Sequence, residues 1–126
     1  VVSTAVPGQA VIDAGSKALG REPIDAERAG GALATVESNA AGGGWGVLHD
    51  RPEVVVTRLS EEHGILDCSR SAWQPAVGEQ VRVVPNHACY VVALTDVVYG
   101  VRGDVVETRW PVAARGREEP AAVPAW

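Results

Sequence analysis

The stretch EVVVTRLSEEHGILDC, residues 53–68, decides the fold class of this chain. Its first part, residues 53–62, is rich in valine, and β-branched side chains suit a pleated strand better than a helix. A polar strand end then leads into a turn at Gly64, and residues 63–68 form another short apolar strand. Short strands separated by turns are typical of antiparallel β structure.

The rest of the chain follows the same pattern. We predict further strands at residues 1–6, 9–13, 32–38, 45–50 and 80–84, and a terminal hairpin around residues 102–104. Residues 15–20 are predicted to form a single helical turn, and residues 86–96 are ambiguous between a short helix and a twisted strand. The predicted fold class is therefore all-β (mostly), an antiparallel β-barrel or sandwich with one or two short helical turns.

The composition excludes several classes of protein. The 126 residues are enough for one domain, and 46% of them are hydrophobic. A net charge of −5 without a basic stripe argues against nucleic acid as a partner, and no apolar run approaches the ~18 residues of a membrane span. Two cysteines are too few for a disulfide scaffold, so a reduced, cytoplasmic setting is expected. Methionine is absent even at position 1, from which we expect a processed form or a fragment.

His87 and Cys89 are the candidate metal ligands, two residues apart and just after Pro85. On an extended chain they would point to the same face, whereas on a helix they would lie roughly 200° apart. Imidazole nitrogen and thiolate sulfur suit zinc better than magnesium or calcium. Two ligands are only half of a structural site, and spacing alone leaves open a hydrogen-bonded histidine next to a buried cysteine.

Two further candidates have ordinary structural alternatives. An acid beside an imidazole, as in Glu61, Glu62 and His63, can tune a base, but the same residues suit a polar strand end. Lys17 is the only lysine, which raises the possibility of a Schiff base. A surface role is the alternative for that side chain.

Taken in order, four segments resemble the C-terminal domain of the D-serine dehydratase-like and D-threonine aldolase family. This family consists of pyridoxal-phosphate enzymes of the alanine racemase fold group. The segments that carry the resemblance are VIDAGSKAL (11–19), LSEEHGIL (59–66), GEQVRVVPNHACYVVALTD (78–96) and VVYGVRGDVVETRWPVAARGR (97–117). The resemblance implies a C-terminal β-domain over residues 1–117, followed by a flexible tail at residues 118–126.

The resemblance also implies what lies outside this domain. Family members place an N-terminal (β/α)8 barrel before it, and that barrel binds pyridoxal phosphate through its own lysine. Lys17 therefore has no counterpart role, and no catalytic residue is expected in this chain. The implied partners are that barrel, a second subunit in a homodimer and a D-amino-acid substrate.

The metal pair carries over residue by residue. In the dehydratase branch a histidine and a cysteine two residues apart bind zinc beside the cofactor, and here they are His87 and Cys89. Aldolase relatives tend to have aspartate at the second position and to use manganese or a similar ion. His63 and Asn86 are the residues expected to support the ligands. The implied reaction is dehydration or retro-aldol cleavage of a D-β-hydroxy amino acid.

Two rival functions remain at this point. The domain could be a stand-alone β-barrel binding module in which His87 and Cys89 are structural. It could also belong to a metal-free racemase, for which Tyr90 or Tyr99 would be the catalytic tyrosine.

Overall fold

The computed structural model describes residues 1–22 and 44–113 of the chain. These residues form seven strands and two short helices: β1 (Gln9–Ile12), α1 (Ser16–Leu19), β2 (Gly46–Leu48), β3 (Arg51–Leu59), β4 (Gly64–Asp67), β5 (Val83–Pro85), α2 (Ala88–Ala93), β6 (Val97–Arg102) and β7 (Val105–Pro111). The chain divides into two compact units, Val1–Val91 and Val92–Trp126.

The larger unit is built on one antiparallel sheet of five strands in the order β1-β4-β3-β2-β5. The mostly-β, antiparallel prediction is therefore confirmed. Among the residues that the structure describes, β1 and β5 are the two edges of this sheet, so it is open and not closed into a barrel. The strands predicted around residues 53–68 are β3 and β4, which pair antiparallel at the centre.

One face of this sheet forms the core, as the alternation of side chains predicts. Val54 and Val56 of β3 and Leu66 of β4 are fully buried, and β1 adds Ala10 and Ile12. The residues that complete the core or pack against it include Leu19, Leu48, Cys68, Trp45, Trp73 and Val81. Since the chain has no Phe or Met, aliphatic side chains and Cys68 make up this core, with tryptophan at its margin.

The prediction that Arg51 and Pro52 separate two strands was wrong, because both residues lie inside β3. The register with β2 shifts at this point, between Val47 and Leu48. Proline has no N–H to donate, and an irregularity of the ladder is where a strand tolerates it.

The helical predictions had different outcomes. The single turn expected at residues 15–20 is α1, which is four residues long and ends at Gly20. The ambiguous segment after Pro85 contains the helix α2 and not a twisted strand. The strand predicted at residues 32–38 and the tail at residues 118–126 lie outside the described residues.

The smaller unit contains the predicted hairpin, formed by β6 and β7. Gly103 has a φ of 59°, which the tight turn requires and which other residues rarely adopt. Gly100 lies opposite Thr108, and a Cβ atom at this glycine would clash with the Thr108 methyl and come within 2.8 Å of the Trp110 ring. The absence of a side chain at Gly100 therefore leaves room for both neighbours on β7.

The part of the chain that the structure describes contains no helix that is long and apolar enough to span a membrane.

Replacing the central core residue Leu66 by alanine should lower the free energy of unfolding by about 2–5 kcal/mol, because a cavity replaces a fully buried side chain. The matched control is Leu94→Ala, since Leu94 is 50% exposed and its truncation should change stability by less than about 0.5 kcal/mol. Urea denaturation followed by tryptophan fluorescence measures both. Equal losses in the two variants would contradict the assignment of this face as the core.

Candidate functional site

The candidate ligands follow the end of an edge strand. Among the described strands β5 pairs with β2 alone, with Pro85 opposite Gly46, and the strand ends at that proline. The chain then passes through Asn86 and His87 and enters α2 at Ala88. The prediction that Pro85 ends a strand at an edge is thereby confirmed.

His87 is held by two contacts. Its Nδ1 atom is bonded to a carboxylate oxygen, Oε2, of Glu22. Its ring meets the ring of Tyr90 edge to face, with centroids 5.5 Å apart and an interplanar angle of 72°. About a third of the His87 side chain is exposed, at 33%. The ring is thus oriented by neighbours on two sides and still reachable from solvent.

The side chain of Asn86 ties distant parts of the chain together. Its Nδ2 donates to the backbone carbonyl of Glu22 at 2.9 Å and to that of Gly44 at 2.7 Å. Asn86 therefore supports His87 only indirectly, by holding the backbone of the residue whose carboxylate meets the imidazole.

The ring of Tyr90 lies against Gly20, a residue that was not among the candidates from the sequence. At Gly20 an added Cβ would lie 2.5 Å from the tyrosine ring, and the φ of this residue is 76°. Both the conformation and the space favour glycine here. Gly20 thus lets the tyrosine ring, and with it the edge contact to His87, approach the end of α1.

Cys89 lies in the first turn of α2, and it is an exposed free thiol. The premise of an extended chain through His87 and Cys89 was therefore wrong, because one residue precedes the helix and the other lies within it. The alternative of a buried cysteine beside the histidine is not met by Cys89 either, since the buried cysteine is Cys68. Burial, and secondarily the charge of Asp67, raise the pKa of the Cys68 thiol.

His63 lies in the turn between β3 and β4. Its backbone N–H donates to the Ser60 hydroxyl at 3.1 Å, and its carbonyl accepts from the Ser60 N–H at 2.8 Å. Within residues 1–22 and 44–113, no hydrogen bond or ring contact joins His63 to His87 or Cys89. In the described residues this turn holds α1, because Ser60 and Glu61 carbonyls accept from the N–H groups of Ser16 and Lys17.

Lys17 forms exposed ion pairs with the same turn, at 2.5 Å to Glu62 and 3.2 Å to Glu61. The hydrogen bonds to Glu62 and then Glu61 raise the pKa of the Lys17 ammonium. A Schiff-base lysine requires the opposite shift, so this geometry favours the surface role.

The donor set fits zinc in kind but not in number. His87 nitrogen and Cys89 sulfur are both zinc donors, and the Glu22 carboxylate on Nδ1 matches the outer support that ligating histidines usually have. In the described part of the chain, however, no three His, Cys, Asp or Glu side chains are grouped so that they could hold a metal ion. In residues 1–22 and 44–113, His87 and Cys89 are therefore two possible donors without a third one beside them.

Sequence reasoning missed Glu22, which lies 65 positions from His87. No spacing rule connects residues so far apart, and the segment around Glu22 is polar and loop-like in sequence. Only the packing of α1 near the end of β5 brings it to the imidazole.

Comparison with known proteins identifies the family of this domain. Residues 1–101 match the family described as "Putative serine dehydratase domain". The chain belongs to this family. The predicted resemblance is confirmed, and the two candidate ligands lie inside the matched region.

Relatives of two lengths resemble this family member. An uncharacterized protein of Mycobacterium tuberculosis is 37% identical over 107 residues, which are 85% of this chain and 69% of that protein. A 3-hydroxy-D-aspartate aldolase of Paracoccus denitrificans is 32% identical over 117 residues, 93% of this chain and 24% of the aldolase.

A solved structure gives the same picture. The crystal structure of D-threonine aldolase from Filomicrobium marinum matches with a TM-score of 0.63 and 37% identity, over 92% of this chain and 26% of the aldolase. The chain thus spans about a quarter of the length of the aldolases that it matches.

The two cysteines should differ sharply in reactivity. At neutral pH a thiol reagent should modify Cys89 promptly in the folded protein, while Cys68 should react only after unfolding, because it is 5% exposed and burial raises its pKa. Mass spectrometry of the labelled chain and of a Cys89→Ser variant measures this. Rapid labelling of native Cys89→Ser protein would contradict the burial of Cys68.

Removal of the Asn86 amide should loosen the site. Asn86→Ala deletes two donated hydrogen bonds and leaves a part-buried carbonyl at Gly44 without its donor, so the free energy of unfolding should fall by about 1–3 kcal/mol. The control Gln80→Ala removes an exposed amide and should have little effect. If both variants unfold at the same denaturant concentration as the parent protein, the two hydrogen bonds do not stabilise this region.

Proposed function

We propose that this chain is the metal-binding C-terminal domain of a pyridoxal-phosphate-dependent D-amino-acid lyase. The substrates would be D-β-hydroxy amino acids, cleaved by an aldolase or dehydrated by a D-serine dehydratase-type enzyme. The observation that carries the proposal is the family membership of residues 1–101, together with two exposed or half-buried zinc donors at the end of an edge strand. The names of the relatives, aldolases and a serine dehydratase domain, support a lyase of D-amino acids.

The residues of this domain would hold the metal and leave part of its shell open. His87 and Cys89 would occupy two positions, and the remaining ones would be free for water or for the hydroxyl of the substrate. A divalent ion at this place would polarise that hydroxyl as a Lewis acid. Pyridoxal phosphate, bound by an N-terminal (β/α)8 domain, would supply the electron sink for bond cleavage at the substrate.

The chain's own side chains would set the direction of the metal. Tyr90 and Glu22 both contact the imidazole of His87, so the orientation of the ring, and with it the direction of Nε2, would be restricted. His63 would act only if another part of the protein links it to the site. Dehydratase and aldolase chemistry need the same placement of the metal, so this domain alone is compatible with both.

The expected partners are the N-terminal barrel of the same protein and a second subunit in a homodimer. Several large apolar side chains of the hairpin are more than half exposed, among them Tyr99, Val101 and Val106. These three share one face of the hairpin by the register of β6 and β7. An exposed apolar stripe of this kind supports an interface with another protein surface. A cytoplasmic location is proposed for the assembly.

Metal analysis of the full-length protein tests the proposal. We expect about one zinc or other divalent ion per chain in the parent protein and its loss in the His87→Ala, Cys89→Ala double variant. Release of glycine from D-threonine, or of pyruvate from D-serine, should fall with the metal. The control His49→Ala removes an exposed histidine bonded to Asp50 and should leave metal content unchanged. Equal metal in the parent and the double variant would refute the site.

A second candidate function is a stand-alone binding module without catalytic activity. The matched 107 residues are 69% of the Mycobacterium tuberculosis relative. A (β/α)8 barrel alone needs at least about 200 residues, more than the whole of that relative. The domain therefore occurs in at least one protein too short to carry such a barrel. This length favours keeping the non-catalytic alternative.

The coding sequence that precedes Val1 distinguishes the two candidates. A (β/α)8-like region with a cofactor lysine would support the lyase. The absorption band of enzyme-bound pyridoxal phosphate in the purified full-length protein would support it as well. A gene that encodes only this domain would refute the lyase and favour the module. A racemase with Tyr90 or Tyr99 as its catalytic base would be recognised by interconversion of alanine enantiomers without metal.

A further inference from the structure

We propose that Glu22 is the positioning residue of the metal site, and that it directs Nε2 of His87, and not Nδ1, towards the ion. The inference rests on the proposed function, since it concerns the same site. It assigns a role to a residue that neither the motif around His87 nor its spacing indicates.

The contact itself is specific about atoms. Oε2 of Glu22 meets Nδ1 of His87. An ionised carboxylate can only accept a hydrogen bond, so a neutral imidazole in this contact carries its proton on Nδ1. The lone pair that can bind a metal is then on Nε2. In metal sites a carboxylate in this position fixes the tautomer and the ring orientation and makes the ligating nitrogen more basic.

The backbone around Glu22 is also held in place. The Asn86 side chain donates to the Glu22 carbonyl at 2.9 Å, so the residue next to His87 in sequence anchors the residue that contacts its ring. The same Nδ2 atom also donates to the carbonyl oxygen of Gly44, at an N–O distance of 2.7 Å. An isolated surface ion pair has no such anchor and contributes little to stability.

The ring of His87 also contacts Tyr90. The T-shaped contact at 5.5 Å limits rotation of the imidazole about its own axis. Tyr90 in turn lies in the space that the absent side chain of Gly20 leaves, and Gly20 is two residues before Glu22 in the sequence. The end of α1 and the two residues after it thus supply both the acceptor for Nδ1 and the room for the tyrosine.

Zinc affinity of the full-length protein, measured by competition with a chromophoric chelator, tests this role. Glu22→Ala should weaken zinc binding by about 10- to 100-fold. Glu22→Gln should have a smaller effect, because the amide oxygen still accepts from Nδ1 but has no charge. The matched control is Glu62→Gln, an exposed glutamate that bonds to Lys17 and should leave affinity unchanged. Circular dichroism confirms that each variant folds.

Cobalt substitution adds a readout that a purely structural role would not change. In the cobalt form of Glu22→Gln, the thiolate charge-transfer band of Cys89 should persist while the ligand-field bands shift. Unchanged bands and wild-type zinc affinity in both Glu22 variants, with zinc lost in His87→Ala, would overturn the role of Glu22 and leave the metal site intact. Wild-type zinc affinity in the His87→Ala, Cys89→Ala variant would overturn the proposed function and this inference together.

Discussion

Burial of one face of the five-stranded sheet is the constraint on which the rest of the structure depends. Val54, Val56 and Leu66 lose all contact with water at the centre of this face. Apolar burial is the main favourable contribution to folding, and a core without Phe or Met must obtain it from many small, closely packed side chains. Helix α1 contributes to covering this face through Leu19.

The candidate site uses the edge that this sheet leaves. In the part of the chain that the structure describes, β5 pairs with β2 on one side, and Pro85, which has no N–H to donate, is its last residue. The chain is then free to turn into α2, which exposes Cys89 and leaves His87 half-buried against Glu22 and Tyr90. A residue held by a sheet edge and a short helix has a more defined position than one in a free loop.

Hydrogen bonds of single polar side chains connect this site to the rest of the larger unit. Asn86 joins the backbone at Glu22 and Gly44 to the residue before His87. On the other side of α1, the turn after β3 accepts from the N–H groups of Ser16 and Lys17. The four-residue helix α1 is too short to be stable by itself. These tertiary hydrogen bonds therefore hold its first residues and the segment that follows it.

Local sequence patterns predicted most of the described strands, because alternation and turn residues act over only a few positions. The strand predicted at residues 1–6 was wrong, since this segment forms only an isolated bridge between Ser3 and Val11. β3, β4 and the hairpin β6–β7 lie where valine-rich segments and glycine turns indicated. The errors occurred where longer-range packing decides. Pro52 lies inside β3 because a register shift accommodates it, and residues 88–93 are helical although their apolar run also suits a strand.

The sequence by itself determined the mostly-β class and the family, since each depends on residue type and order along the chain. The tertiary structure alone decided that Glu22 contacts His87, because residues 65 positions apart meet only when the chain folds. It also decided that Cys89 is exposed and Cys68 buried, because burial depends on which face of an element meets the core and not on the residue itself.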